Sequence, residues 1–191
     1  MSEEDFIYKL ILIGSCGVGK TSLLTQYLNH RYDIEEKPTI SPTSASVTIK
    51  ASNGMKVPFS VWDTAGQETY QSISRIFYRD ANICFLCFDE HTYDSIEIWI
   101  NRIREEVPSV NIFLVQTKSD LITDQLDSFA KGRHEQEKYK CQGFYLVSAK
   151  ENIGVSDLFL AAADFVKQSM TENQSMKTIR PEINKKRLGC C

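Results

Sequence analysis

Eight residues near the start of the chain have the types and spacing needed to bind phosphate. Residues 14–21, Gly-Ser-Cys-Gly-Val-Gly-Lys-Thr, match the pattern G-x-x-x-x-G-K-[ST]. Glycines allow a tight loop whose backbone N–H groups point inward at phosphate oxygens, while Lys20 would reach the β/γ-phosphates and Thr21 would ligate Mg²⁺. The alternative is a glycine-rich turn that only links two elements. Because the pattern arises by chance in fewer than roughly 1% of chains this long, a nucleotide phosphate site is favoured.

A carboxylate and an amide follow the third predicted strand, where residues 63–67 read Asp-Thr-Ala-Gly-Gln. Asp63 could hold a Mg²⁺-bound water, Gly66 would let a backbone N–H approach the γ-phosphate, and Gln67 could orient an attacking water. On its own, D-x-x-G is mostly an ordinary turn. Downstream of a phosphate loop, it predicts the second half of a phosphoryl-transfer site.

Two polar loops follow the last two predicted strands and could bind a base. They are Gln116-Thr117-Lys118-Ser119-Asp120 and Val147-Ser148-Ala149-Lys150. The carboxylate of Asp120 can accept two hydrogen bonds from the N1–H and N2–H₂ of guanine. Adenine lacks that donor pair and would leave the carboxylate desolvated and unpaired. Each loop alone would be a solvated connection, but together they predict guanine as the base.

The elements that must position these residues alternate between strand and helix. Strand-like runs occur at 6–13, 45–51, 55–62, 82–88, 111–116 and 143–147, and helical patterns at 20–29, 70–78, 93–106, 126–140 and 155–168. Asn53-Gly54 predicts a two-residue hairpin between the second and third strands, which would pair antiparallel. The alternation predicts an α/β fold: six strands, mostly parallel with one antiparallel, and helices on both faces. Ligands of such sheets bind beyond the carboxyl ends of the strands, where all the motifs lie.

Composition indicates a soluble globular domain in a reducing compartment. Of 191 residues, 42% are hydrophobic and 25% charged, and the net charge of −3 predicts no nucleic-acid partner. The six cysteines show no disulfide spacing, which favours the cytosol. Cys84 and Cys87 could form half of a redox or zinc site, but strand alternation places them on opposite faces and favours core cysteines. The acidic Met1–Asp5 segment is unlike a signal peptide, and no run is apolar enough to cross a bilayer.

Two stretches lack the periodicity of regular elements. Residues 30–44 form a long polar loop, which in a compact domain is usually functional. From Ser169 onwards the apolar period fades, so we expect a globular domain over residues 1–168 and a flexible tail over 169–191.

The motifs taken together resemble those of the Ras superfamily of small GTPases, and the Rab family in particular. The resemblance covers residues 6 to 168 and implies a P-loop NTPase G domain that binds GTP or GDP with Mg²⁺. It implies metal ligation by Thr21 and Thr39, and by Asp63 through water. The implied phosphate-binding residues are Ser15, Cys16, Gly17, Val18, Gly19, Lys20, Thr21, Thr39 and Gly66.

The same resemblance implies two loops that respond to the γ-phosphate, switch I at 31–45 and switch II at 63–79. Gln67 would orient the catalytic water. The implied guanine-binding residues are Tyr32, Thr117, Lys118, Asp120, Ser148, Ala149 and Lys150. For Tyr32 two readings stay open: an aromatic contact to the base, or a loop residue packed on its neighbours.

The last two residues, Cys190 and Cys191, resemble the doubly geranylgeranylated end of Rab proteins. One lipid chain anchors marginally and two anchor stably, and Lys185-Lys186-Arg187 could add attraction to anionic lipid. The implied location is the cytoplasmic face of intracellular membranes, with cycling through the cytosol. The alternative is a tail with free thiols and no lipid.

Several positions depart from the Rab pattern. Ser44 replaces the Phe of the aromatic trio that many effectors contact, leaving Trp62 and Tyr78, and Thr69 replaces a usual Arg or Lys. Thr117 replaces the commoner Asn, as in Rho proteins. Cys16 occupies a crowded loop position, so we predict slow intrinsic hydrolysis, on the order of 10⁻⁴ s⁻¹ or lower.

The resemblance implies a GTP/GDP switch that hydrolyses GTP and recruits effectors in vesicle-mediated membrane traffic. Its implied partners are an exchange factor, an activating protein that supplies an arginine, effectors at the switches and a prenyl-chain chaperone, with the protein itself a monomer. The alternatives are a GTP-binding scaffold with little hydrolysis, a Rho-like GTPase and a small-metabolite kinase. The Rho reading lacks room for an extra helix between Asp120 and Ser148, and the kinase reading lacks a lid.

Overall fold

A computed structural model describes residues 6–33, 39, 42–64 and 77–178, with side chains described as far as residue 171. Several predictions therefore lie outside the described residues. They concern Gly66, Gln67, Thr69, Cys190, Cys191, the basic run at 185–187, most of the switch loops and residues 70–76 of a predicted helix.

Six strands form one sheet in the order β2-β3-β1-β4-β5-β6. Their bounds are β1 Tyr8–Ile13, β2 Thr43–Lys50, β3 Lys56–Asp63, β4 Ile83–Phe88, β5 Asn111–Gln116 and β6 Gly143–Leu146. The β2–β3 pair is antiparallel, and the four other pairs are parallel. The predicted α/β fold is confirmed, and the carboxyl ends of β1, β3, β4, β5 and β6 lie along one edge.

Four α-helices cover the two faces of this sheet within the described residues. They are α1 Lys20–Asn29, α2 Ile96–Glu106, α3 Gln125–Lys138 and α4 Val155–Thr178. Helices α1 and α4 pack on one face of the sheet, where they bury Leu10 and Leu12 of β1. Helix α2 packs on the other face, where it buries Ile11 and Ile13. Both faces are buried because the central strands are continuous apolar runs.

The two cysteines of β4 confirm the alternation predicted for that strand. Cys87 belongs to the core under α1 and α4, whereas Cys84 belongs to the core under α2. Both are fully buried. They cannot form half of a shared metal site because their side chains lie on opposite sides of the sheet.

The hairpin between β2 and β3 differs from the prediction. The Ala51 N–H donates to the Met55 carbonyl at 2.8 Å, and the Gly54 N–H donates to the Ala51 carbonyl at 2.8 Å. The loop is therefore three residues long, Ser52-Asn53-Gly54, and not two. Gly54 takes a φ of 89°, the left-handed conformation that the last residue of a three-residue hairpin loop requires.

Helix boundaries also differ from the sequence pattern at two places. A 3₁₀ turn occupies Glu90–Ser95, so α2 begins at Ile96 and not at residue 93. Helix α4 runs to Thr178, ten residues beyond its predicted end at 168. Polarity does not end a helix; residues 169–178 contain no Gly or Pro, and Gln, Met, Glu and Lys are good helix formers. Among the described residues, no helix is both long enough and apolar enough to cross a membrane.

Candidate nucleotide site

The glycine-rich loop connects β1 to α1 at the carboxyl edge of the sheet. It begins at Gly14, whose φ of 136° is open to glycine and rarely to other residues. A Cβ at this position would lie 2.0 Å from the carbonyl oxygen of Cys87 at the end of β4. The loop thus starts where it does because its first residue passes against the backbone of a neighbouring strand.

Lys20 lies inside this loop and is almost completely buried. Its ammonium donates to the carbonyls of Gly14 and Ser15, both at 2.8 Å. The loop therefore holds a positive charge against its own backbone. Because a buried ammonium loses its hydration, an anion placed in the loop would gain more from it than from a lysine in water.

Three oxygen-bearing side chains meet beside the loop. The Thr21 hydroxyl donates to Oδ2 of Asp63 at 2.6 Å, and its oxygen lies 2.7 Å from that of Thr39. Asp63 ends β3 and is fully buried. Two hydroxyls and a carboxylate are hard oxygen donors of the kind Mg²⁺ prefers, so these residues fit the metal predicted from the sequence. The structure brings together all three predicted metal ligands, which come from three separate segments.

A cavity of about 250 Å³ opens next to the loop and contains most of the predicted base-binding residues. Its walls include Tyr32, Thr117, Lys118, Asp120, Ala149 and Lys150, with Gly19 of the phosphate loop at one side. Tyr32 is 39% exposed. The phosphate loop and the base loops therefore share one continuous space.

Two of the predicted base-binding residues, Thr117 and Ser148, form hydrogen bonds to other residues of the site. The Thr117 hydroxyl donates to the Val18 carbonyl at 2.6 Å and also lies 3.0 Å from the Phe88 carbonyl, so it ties the base loop to the phosphate loop. The Ser148 hydroxyl is fully buried and donates to Oδ1 of Asp120 at 2.6 Å. That bond holds the carboxylate of Asp120, a residue that lines the cavity.

The chain is similar both to a protein family and to individual proteins. A model of the Ras family matches residues 9–168. The chain is 32% identical over 197 residues to the Ras-related protein RabC of Dictyostelium discoideum, covering 99% of this chain and 100% of that relative. It is 32% identical over 193 residues to Rab-8B of the same organism, covering 98% and 94%. It is 39% identical over 142 residues to Rab-11A, covering 72% and 66%.

The chain belongs to the Ras superfamily, and within it to the Rab family. As a Rab GTPase it hydrolyses GTP to GDP and phosphate, with Mg²⁺ as the usual cofactor of the family. Family membership also implies an exchange factor, an activating protein and effectors as partners. The structure agrees with the argument against a Rho-like domain, because a single α-helix, α3, lies between Leu121 and β6.

The surface where Rab effectors were expected to bind is only partly described. Ser44 is exposed and pairs across the β2–β3 ladder with Trp62. The Trp62 ring contacts Phe77 at 5.8 Å between centroids, and the Lys9 ammonium lies 4.8 Å from the ring centroid. Tyr78, the third position of the trio, is buried. This Rab domain therefore presents Trp62 beside a small hydroxyl where an aromatic partner was expected.

Sequence reasoning missed a group of residues just after β4. Oδ2 of Asp89 lies 2.7 Å from the Lys118 ammonium, and the Asp89 side chain is 9% exposed. Its Oδ1 accepts from the Thr92 N–H at 3.1 Å, and the Thr92 hydroxyl bonds back to the Asp89 N–H, forming a capping box. The signal was available: a carboxylate directly follows a buried strand, with a capping residue three positions later.

The buried cysteines take no part in the site. Burial raises the pKa of Cys84 well above its ordinary value. Burial also raises the pKa of Cys87 to about 12 and that of Cys141 to about 11. All three are therefore thiols at neutral pH and behave as small apolar groups. Cys16, in the phosphate loop, is exposed.

Proposed function

We propose that the loop over residues 14–21 binds the phosphates of GTP and GDP, and that the cavity lined by Lys118 and Asp120 binds their guanine base. One observation carries the proposal: the Thr21 hydroxyl meets Thr39 and Asp63 at 2.7 and 2.6 Å beside a buried lysine. Three segments far apart in the sequence contribute hard oxygen donors to one point, next to a loop suited to anions.

The phosphate part of the site works through charge and backbone donors. The proposed phosphate-binding residues are Ser15, Cys16, Gly17, Val18, Gly19, Lys20, Thr21, Thr39 and Gly66. The Lys20 ammonium would exchange its bonds to the loop carbonyls for bonds to phosphate oxygens. Thr21, Thr39 and Asp63 would hold Mg²⁺, with Asp63 acting through water, and the ion would neutralise charge on the phosphate oxygens.

The base part of the site works by matching donors to acceptors. Ser148 supports the Asp120 carboxylate, which would accept from the N1–H and N2–H₂ of guanine. Lys118, Ala149 and Lys150 line the same cavity. Tyr32 lines it as well, which supports a contact to the nucleotide over a loop residue packed only on its neighbours. Thr117 would act indirectly, by fixing the base loop to Val18 of the phosphate loop.

Switching follows from where two of the metal ligands lie in the chain. Thr39 belongs to switch I, residues 31–45, and Asp63 opens switch II, residues 63–79. A γ-phosphate would draw both loops toward the site, and effectors would bind the ordered surface. Gln67 would orient the water that attacks the γ-phosphate, and hydrolysis would release the loops.

The nucleotide proposal is tested by titrating the purified protein with fluorescent GDP and ADP. We expect a preference for GDP, and loss of most of the affinity when Mg²⁺ is removed with EDTA. The variant Thr21→Ala should lose the dependence on Mg²⁺. Equal binding of ADP and GDP would remove the proposed role of Asp120.

Hydrolysis is expected to be slow without a partner. Cys16 places a side chain in the phosphate loop near where the γ-phosphate and Gln67 would meet, so we predict a rate on the order of 10⁻⁴ s⁻¹ or lower. A single-turnover rate above about 10⁻² s⁻¹, the range for a GTPase with its own arginine, would contradict this. A cell extract that accelerates hydrolysis would separate a cycling GTPase from a scaffold that stays loaded with GTP.

Membrane attachment is proposed from the tail. Cys190 and Cys191 would each carry a geranylgeranyl chain, because two chains are needed for stable anchoring. The protein would then sit on the cytoplasmic face of intracellular membranes, cycle through the cytosol with a prenyl-chain chaperone, and act as a monomer in vesicle traffic without binding nucleic acid. The intact mass of protein purified from its own cells tests this, since two prenyl groups add a defined mass.

We propose the division into a G domain over residues 1–168 and a tail over 169–191, with the first ten residues of the tail continuing helix α4. Truncation after residue 178 should leave nucleotide binding intact, because the residues proposed to contact the nucleotide all precede Val155. A loss of GDP affinity in that variant would contradict the division.

A further inference from the structure

The turn that follows β4 contacts both ends of the proposed nucleotide site. It starts at Asp89, continues as the 3₁₀ turn Glu90–Ser95, and leads into α2, which carries Trp99. Asp89 reaches the base loop through Lys118, and Trp99 reaches the phosphate loop through Ser15. Neither Asp89 nor Trp99 lines the cavity, and Lys118 and Ser15 are the residues through which they contact the site.

At the base end, the two oxygens of Asp89 have different partners. Oδ1 accepts from the N–H and the hydroxyl of Thr92, at 3.1 and 2.8 Å. Oδ2 accepts from the Lys118 ammonium at 2.7 Å. The bonds from Thr92 cap the turn and hold the Asp89 carboxylate in place. The bond from Lys118 then holds the lysine ammonium against that carboxylate.

Within the described residues, the hydrogen bond that holds the Lys118 ammonium is the one to Asp89. The Lys118 side chain is 40% exposed, and its backbone has a φ of 55°, the left-handed region. A lysine stem has four rotatable carbons and would otherwise sample many rotamers. With the ammonium held by Asp89, the apolar stem stays along the wall of the base cavity. Burial alone would raise the pKa of Asp89, but the bonds from Lys118 and Thr92 outweigh it and the pKa is lowered, so the carboxylate is charged at neutral pH.

At the phosphate end, the contact is weaker and made by neutral groups. The Trp99 indole N–H donates to the Ser15 hydroxyl at 3.3 Å, and the Ser15 hydroxyl lies 3.5 Å from that of Ser95. The Ser95 hydroxyl in turn donates to the Thr92 carbonyl at 2.6 Å. The bond between Asp89 and Lys118 is charged and is therefore stronger than the bond between Trp99 and Ser15. Removing the Asp89 bond alone should have a measurable effect.

We propose that Asp89 is a positioning residue that holds Lys118 against the guanine base and thereby slows release of the nucleotide. The proposal rests on the proposed nucleotide site, because Lys118 must contact the base for its position to matter. Asp89 itself touches no nucleotide. Its removal should therefore change the lifetime of the bound state while leaving the phosphate contacts intact.

The variant Asp89→Asn isolates the contact. The amide oxygen can still accept from Thr92 and cap the turn, while the amide nitrogen takes the place of the oxygen that faces Lys118 and cannot accept from its ammonium. We expect release of fluorescent GDP, chased with excess unlabelled GDP in Mg²⁺, to be about fivefold faster. The effect is modest because Lys118 is partly exposed and the ion pair is screened. The matched control is Glu90→Gln, which removes the same charge from the adjacent, exposed position and should leave release unchanged.

A second variant separates positioning from general damage to the fold. Lys118→Met keeps an apolar stem and removes the ammonium that Asp89 holds. In that background, Asp89→Asn should change GDP release by less than about 1.5-fold, because the interaction between the two residues is already absent. An equal acceleration in both backgrounds would show that Asp89 only stabilises the turn, and an unchanged release rate in Asp89→Asn alone would overturn the proposal directly.

The same experiment distinguishes this proposal from the one it rests on. If the unmodified protein binds no GDP, the nucleotide site itself is wrong. If the unmodified protein binds and retains GDP but Asp89→Asn behaves like Glu90→Gln, the site stands and the positioning role is wrong.

Discussion

The phosphate end and the base end of the site are built in different ways. The phosphate end is dominated by one uninterrupted stretch, residues 14–21, whose shape depends on glycine conformations and on Lys20 bonding to its own loop. The base end is assembled from side chains that follow β4, β5 and β6, and Thr117, Lys118 and Asp120 are each bonded to another segment. One end is determined locally and the other by the sheet.

This difference predicts how substitutions at each end should affect nucleotide binding. Replacement of Gly14 alters the backbone of the phosphate loop and should abolish the function of the whole loop. A change at the base end removes one bond among several, so its effect should be graded and selective for the base. The Thr117 hydroxyl, bonded to the Val18 carbonyl at 2.6 Å, is a direct link between the two ends.

The largest effect is expected for Gly14→Ala. The added Cβ would lie 2.0 Å from the Cys87 carbonyl oxygen, which is backbone and cannot move aside, and the φ of 136° adds strain. We expect no measurable GDP binding and a free energy of unfolding lower by about 3 kcal/mol in urea denaturation. Gly54→Ala is the control: its φ is also positive, but the nearest atom is 3.7 Å away, so about 1 kcal/mol is expected. Equal effects of the two variants would contradict the close approach.

The second prediction contrasts Lys20→Ala with Asp120→Ala. Loss of the buried ammonium should weaken GDP and ADP binding by a similar factor, about 100-fold, because phosphate is common to both. Loss of the carboxylate should weaken GDP binding about 100-fold and leave ADP binding unchanged. Titration with fluorescent GDP and ADP measures both. If Asp120→Ala weakened ADP binding as much as GDP binding, the two ends would not be separable.

The third prediction concerns the packing behind the base loop. Gly132 lies in α3, and a Cβ there would lie 2.1 Å from the Phe144 ring, which is itself flanked by Phe88 and Phe129. Gly132→Ala should lower the free energy of unfolding by about 2 kcal/mol in urea denaturation, although alanine is the better helix former. The double variant Gly132→Ala, Phe144→Leu should recover part of the loss. If Gly132→Ala were stabilising, the close approach of α3 to β6 would be wrong.

The smallest effect is a pH dependence that comes from Asp89. Its pKa is lowered in the folded protein because the bonds from Lys118 and Thr92 outweigh the opposing effect of burial. A lowered pKa contributes stability that is present above the unfolded value, near pH 4, and is lost as the pH falls through the folded value. The difference in unfolding free energy between the unmodified protein and Asp89→Asn should be about 1 kcal/mol between pH 5 and 8. It should shrink below about pH 4, and a difference that grew with acid would contradict the ion pair.

Much of the fold could be predicted because strand position follows from apolar runs. The run at 82–88 predicted β4 to within one residue, and the alternation within it placed Cys84 and Cys87 on opposite faces, as the structure confirms. Element ends were less predictable. The hairpin loop gained a third residue because Ala51 pairs with Met55. Helix α4 continued to Thr178 through a polar stretch that contains neither Gly nor Pro and in which half of the residues are Met, Glu, Gln or Lys, which are good helix formers.

Some residues of the candidate site could also be predicted from the sequence, and others could not. The phosphate loop, the guanine-binding loops and the hydroxyl and carboxylate ligands were all predicted from motifs, and their roles remain predictions. Asp89, Thr92 and Trp99 were missed because none belongs to a phosphate or base motif. The role of Asp89 depends on β4 and β5 being neighbours in the sheet, which brings Asp89 to Lys118, 29 positions away. The contact of Trp99 with Ser15 links the segment after β4 to the loop after the neighbouring strand β1.

The sequence by itself determined the family, the order of strands and helices, and the chemistry of the phosphate loop, because each depends on residues close together in the chain. Only the tertiary structure decided which carboxylate holds Lys118, which hydroxyl supports Asp120, and which hydroxyls meet Asp63. Those pairings depend on which strands lie side by side. The register of a sheet is set by the burial of all its strands at once and cannot be read from any one of them.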